Sequence, residues 1–81
     1  MTQTPRPDED QDVIVHYIKM HSASSGAFRE LWTVFVGNDK RGDADDLAGA
    51  ERFARELAQE HHRPAWLLDA GGYPLKPIPL R

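Results

Sequence analysis

Val13-Ile14-Val15-His16-Tyr17-Ile18-Lys19-Met20 (VIVHYIKM, residues 13–20) is the stretch that decides the fold. Taken alternately, Val13, Val15, Tyr17 and Lys19 form one set, and Ile14, His16, Ile18 and Met20 the other. Both sets are rich in β-branched or bulky groups, which marks a strand covered on two faces rather than one with a wet side. Leu31 to Val36 repeats the pattern, with Leu31, Thr33 and Phe35 against Trp32, Val34 and Val36, and Ala65 to Leu68 is a third apolar run. Only one helix is available to cover these strands. A single helix shields one face of a sheet, so the other face must find a partner or stay wet.

The helix is expected from about Asp46 to His61 or His62. At 100° per residue, Leu47, Ala50, Phe53, Ala54, Leu57, Ala58 and His61 share one face, the stripe of a core-facing helix. Asp43 or Asp45 suits the N-cap, and Pro64 ends the helix because it lacks an amide hydrogen and biases Arg63 away from helical geometry. Glu51 with Arg55 and Arg52 with Glu56, at i,i+4 spacing, make a solvated outer face.

Between the first two strands, His21 to Glu30 contains Ser22, Ser24, Ser25 and Gly26 and reads as a flexible loop. Gly37-Asn38-Asp39 ends the second strand, and Lys40 to Asp46 reads as a further polar loop. Asp69-Ala70-Gly71-Gly72 is a tight turn before a last extended segment, Tyr73 to Ile78. There Pro74, Pro77 and Pro79 remove ladder donors, which confines the segment to a sheet edge. The expected order is β-β-α-β-β, an α+β domain whose mostly antiparallel sheet has strand order 2-1-3-4 and one helix on one face. In that arrangement the third strand runs parallel to the second.

Charge is unevenly spread. Met1 to Asp12 holds Asp8, Glu9, Asp10 and Asp12 against Arg6 alone and, with Pro5 and Pro7, reads as a disordered acidic leader. The remaining 69 residues, a single domain over 13–81, hold nine acidic and nine basic side chains. A balanced domain starts at a disadvantage for phosphate contacts, which favour a basic excess. With no cysteine there is no disulfide, thiolate nucleophile or cysteine-based zinc site. No secretory signal and no apolar run of membrane-spanning length is present, so the expectation is a soluble cytoplasmic protein without a membrane role.

Trp32-Thr33-Val34, the run Ala50-Glu51-Arg52-Phe53-Ala54-Arg55-Glu56-Leu57-Ala58, and the apolar strand followed by Asp69-Ala70-Gly71-Gly72 resemble a family of short bacterial proteins known as a domain of unknown function. The resemblance covers about residues 13–76. It implies a Trp-bearing strand, an Ala/Arg/Glu-rich helix and a final hairpin around a glycine, and it implies no activity. That family tends to carry one more strand just before the helix, where this chain has the polar run Gly37 to Asp46.

The residues that could carry chemistry do not converge. His61 and His62 are adjacent on a helix and point about 100° apart, and His16 and His21 have opposite strand parity, so neither pair chelates an ion easily. His61 reads better as the end of the core stripe, near the negative end of the helix dipole. Ser22, Ser24 and Ser25 lie beside His21 without the strand-turn-helix setting of a nucleophile elbow. Gly71-Gly72 precedes a strand, so it lacks the helix terminus that anion binding uses. Pro74-Leu75-Lys76-Pro77 has the spacing of a polyproline docking peptide, a pattern equally suited to guarding an edge.

No catalytic residue, cofactor or metal is therefore expected. The expectation is a non-enzymatic protein-interaction module whose partner is itself, as a homodimer, or another protein. Its candidate interface residues are Ile14, Ile18, Trp32, Val34, Val36 and Trp66, for whichever face does not meet the helix. Burying two or three of them would contribute about 1.5–3 kcal/mol each. The rival reading is a nucleic-acid-binding or regulatory protein, with Arg29, Lys40, Arg41 and Arg63 as contacts and Trp32 or Tyr17 stacking on bases.

Overall fold

The computed structural model describes residues 7–21, 24, 26–72 and 74–80. In chain order it contains β1 (Val13–His21), β2 (Phe28–Val36), β3 (Asp39–Ala44), α1 (Leu47–His61), β4 (Ala65–Leu68) and β5 (Lys76–Ile78). The strands form one sheet in the order β3-β2-β1-β4-β5, with α1 packed on one face. The fold is α+β. Three of the four strand pairs are antiparallel, and β1 with β4 is parallel.

The expected neighbours all hold, since β2-β1-β4-β5 is the order 2-1-3-4, but a fifth strand lies outside them. Lys40 to Asp46, expected as a loop, contains β3. Its core-facing positions carry only Gly42, against the Phe53 ring, and Ala44, so the strand has no apolar alternation to read. This one strand also corrects a direction. Each added strand reverses the chain, so α1 leaves from the end of β3 and delivers β4 parallel to β1 and antiparallel to β2, opposite to the expectation. A bulge between Val34 and Phe35 makes Arg41 the extra residue of β3.

The first hairpin is longer than its apolar pattern. β1 reaches His21 and β2 begins at Phe28, so part of the expected loop, Phe28 to Glu30, is strand. Ser24 is exposed, and Ser22 and Ser25 lie outside the described residues, as do Tyr73 and residues 1–6. Val36-Gly37-Asn38-Asp39 closes the second hairpin. Gly37 has φ +60° at the first central position, the glycine site of a type II′ turn, and a Cβ there would collide with the Asp10 carbonyl.

The main core lies between sheet and helix. Val13, Val15 and Val34 are fully buried against Ala50, Ala54, Leu57 and Ala58, with Ala65 and Ile78 completing the cluster. Ala50, Ala54 and Ala58 follow one another at single helical turns, and their small side chains let the backbone approach the valines closely. Phe53 is half-buried as expected of a stripe residue, whereas Leu47 is 36% exposed. His61 is exposed, which corrects its expected place in the core stripe: the buried stripe of α1 ends at Ala58. The N-cap is Asp46, not Asp43 or Asp45, and its carboxylate accepts from Gly49 N–H at 2.6 Å. At the other end His62 turns into the left-handed region at φ 54°, and the N–H groups of His62 and Arg63 close on the last carbonyls before Pro64.

Candidate functional site

The register separates the six candidate interface residues. Val13 pairs with Val36, Val15 with Val34 and Tyr17 with Trp32, and these positions belong to the face beneath α1. Trp32, Val34 and Val36 are thus core or rim residues, and only Ile14, Ile18 and Trp66 stand on the opposite face. Parity along β1 could have excluded one set against the other, but which set met the helix was not readable from two equally apolar faces.

On the open face the chain provides some of its own cover. Ile14, Trp66 and Leu75 form a second buried cluster with Leu68 against it. Leu75 and Ile78 are buried in the fold, so Pro74 to Pro77 does not project as a docking peptide. Beside this cluster is a groove of about 230 Å³ lined by Ile14, His16, Phe35 and Leu68, with Glu9 and Asn38.

The cover is anchored by a residue expected in the leader. Asp12 is 1% exposed, and its Oδ2 accepts from Trp66 Nε1–H and from Asp8 N–H, both at 2.9 Å. Arg63 Nη2 stands 2.9 Å from Asp12 Oδ1 and 3.3 Å from Asp8 Oδ2. The first of these is a charge contact without hydrogen-bond alignment, and among the described residues Asp12 Oδ1 and Arg63 Nε have no hydrogen-bond partner. Gly37 N–H donates to the Asp12 carbonyl and Val13 N–H to that of Pro64. The leader boundary at residue 12 therefore moves: Asp8 to Asp12 is a turn stitched to β4 and to the β2-β3 connection. A single acid before an apolar strand, inside an acidic run, gave no signal of this role.

Beyond the covered base, the two longest strands continue alone. β4 pairs with β1 only over Val13–His16, and β3 with β2 only over Trp32–Val36. Tyr17–His21 and Phe28–Leu31 therefore pair only with one another among the described residues, forming a two-stranded arm. Phe28 is 56% and Met20 44% exposed, on opposite faces of it. On the α1 side, Tyr17 stacks obliquely on Trp32 at 5.3 Å, and Lys19 Nζ stands 4.2 Å above the Phe28 ring. Tyr17 also donates to Glu30 Oε2 at 2.6 Å, a bond that holds its hydroxyl above the ordinary tyrosine range, with desolvation and the Glu30 charge adding to the shift.

Three of the four basic residues expected as nucleic-acid contacts are held by carboxylates: Arg29 by Asp45 at 2.9 Å, Lys40 by Asp43 at 3.2 Å, and Arg63 as described. Arg29, Lys40 and Arg41 lie in strands rather than in loops. Asp43 also accepts from the Thr33 hydroxyl at 2.9 Å, which is the main reason its carboxyl sits below the usual range, Lys40 and Arg29 assisting. Among the described residues no three histidines or carboxylates gather as a metal cluster, and no helix is long and apolar enough to cross a membrane. No family model matches the chain, and no curated protein or solved structure matches it either.

Proposed function

We propose that this chain is a non-enzymatic protein-interaction module that presents its β1-β2 arm to a partner. The observation that carries the reading is the arm itself: five residues of β1 and four of β2 run past every neighbouring strand with Phe28 and Met20 exposed on opposite faces. Single exposed apolar residues are ordinary, but a ribbon two strands wide is marginal in water, and apolar groups on both its faces are better placed to meet another surface. A homodimer through the whole open face draws less support, because Ile14 and Trp66 pack beneath Leu75. The likeness to the domain-of-unknown-function family is offered on the same footing, and β3 stands where that family carries its extra strand.

Site-specific photo-cross-linking in the native cell tests this reading. A photoreactive side chain at Phe28 should give a discrete adduct, and one at Glu56 on the exposed side of α1 should not. Equal labelling from both positions, or none from Phe28, would sink it.

A further inference from the structure

Among the described residues four strand edges face outward on this sheet, and three of them are guarded. β3 is short, charged and bulged at Arg41. β5 is three residues long, with Pro77 in its middle and Pro79 just after it. Beyond Ala44, the edge of β2 is flanked by Asp45 bonded to Arg29. These are the usual devices against strand addition. The fourth edge is β1 from Tyr17 to His21, in line with β4 beyond Leu68. The next residue there, Asp69, is turned away to Lys76 Nζ at 2.6 Å and to Gly71 N–H at 2.9 Å. No proline interrupts β1, and every second residue of a strand directs its N–H and C=O to that side.

A second copy fits this edge poorly. Two β1 strands meeting about a two-fold axis must pair residues of equal parity. Centred on Lys19, the register sets two ammonium groups against each other, and like charges directly opposite are unfavourable. Centred on Ile18, it runs Met20 into the place beside His16 that Leu68 holds. Centred on Met20, it sets Lys19 against His21. Lys19 thus works against self-pairing and favours an acidic neighbour, the repulsive and attractive halves of one preference. Glu30, across from Lys19 in β2, is already engaged by Tyr17, and the Lys19 ammonium lies over Phe28. On the other side of the ribbon Ile18 and Met20 ask for apolar neighbours.

We propose that the Tyr17–His21 edge of β1 takes an extended peptide of alternating acidic and apolar residues as an added strand in line with β4. This rests on the interaction-module reading and names the partner's chemistry: acid beside Lys19, aliphatic groups beside Ile18 and Met20, and a backbone ladder for affinity. The probe is a capped pentapeptide alternating glutamate with valine and isoleucine, titrated into 15N-labelled protein. Amide shifts should saturate and concentrate on Tyr17 to His21. Lys19→Glu, at an exposed position, should weaken binding at least tenfold while leaving the circular dichroism unchanged, and a lysine-for-glutamate peptide should restore binding to that variant. A probe N-methylated at every residue keeps its charge but cannot donate, so it should not bind. Shifts centred away from β1, binding that survives N-methylation, concentration-dependent shifts of the same amides without peptide, or no saturable shift would each overturn the proposal. If the peptide fails while Phe28 still cross-links, only strand addition is lost; if cross-linking fails too, the interaction reading falls with it.

Discussion

The base and the arm of the first hairpin are made of the same two strands and meet opposite fates. At the base, Val13 and Val15 of β1 and Val34 of β2 are fully buried, while further along the same strands Met20 and Phe28 stand in the open. The amino-acid pattern hardly changes between them. What changes is the company: β3 and β4 pair with the base, whose valines also pack against α1, and neither strand pairs along the arm. Strand burial is set by how far neighbouring elements extend, a property of the other segments' lengths rather than of the strand's own alternation.

The largest test of this contrast places one charge in each half. Val15→Asp buries an unpaired carboxylate beneath α1 and should cost more than about 4 kcal/mol, enough to unfold a domain of this size. Phe28→Asp, the same chemistry in the arm, should stay within about 0.5 kcal/mol of the parent. Urea melts followed by far-UV circular dichroism compare the two. Similar losses in both variants would mean that the arm is part of the core after all.

A second, smaller effect is expected where the base is tied to its N-terminal turn. Asp12→Ala leaves the Trp66 indole N–H and the Asp8 N–H without their acceptor and removes the nearer of the two carboxylates beside Arg63. Breaking a buried charged node costs about 3 kcal/mol, at the lower end here because Arg63 keeps access to water. The variant should also red-shift tryptophan fluorescence as Trp66 gains solvent. A stability change below 1 kcal/mol by urea melt would assign Asp12 to a passive leader.

Much of the base was legible in the residues. Ala65 to Leu68 occupies its expected bounds, α1 lies within a residue or so of its own, and the prolines put β5 at an edge, because apolar periodicity and proline chemistry are local. β3 escaped notice since an edge strand whose inward positions are Gly42 and Ala44 needs no hydrophobic alternation. The extra strand starts α1 from the other end of the sheet, and so reverses the direction expected for β4. The arm and Asp12 were hidden for a different reason: both depend on contacts across the sheet, between positions far apart in sequence, that no run of neighbouring residues encodes.

The smallest effects are those of pH, and they divide along the same line. In the base, Asp43 is held below its ordinary value chiefly by the Thr33 hydroxyl, and Asp69 by Lys76 and Gly71 N–H. A carboxyl with a depressed folded value adds stability above its unfolded value near 3.8, and that stability is lost as pH falls through the folded value. In the arm the sign is the other way. Tyr17 is raised above 10.0, so the folded state holds the proton more tightly than the unfolded chain. Its contribution is complete below 10 and disappears as pH rises through the folded value. The Tyr17–Glu30 and Lys76–Asp69 contacts are exposed and screened and the Thr33–Asp43 contact is part-buried, so the shifts in stability should be modest. Thr33→Val should flatten the acid limb of the stability profile, and Tyr17→Phe the part of the alkaline limb that Tyr17 contributes. Amide exchange should place the second change in the arm alone, because its hydrogen bonds open locally while those of the base wait for global unfolding. An alkaline loss that spreads equally to Val13–Val15 would show that the two halves unfold as one.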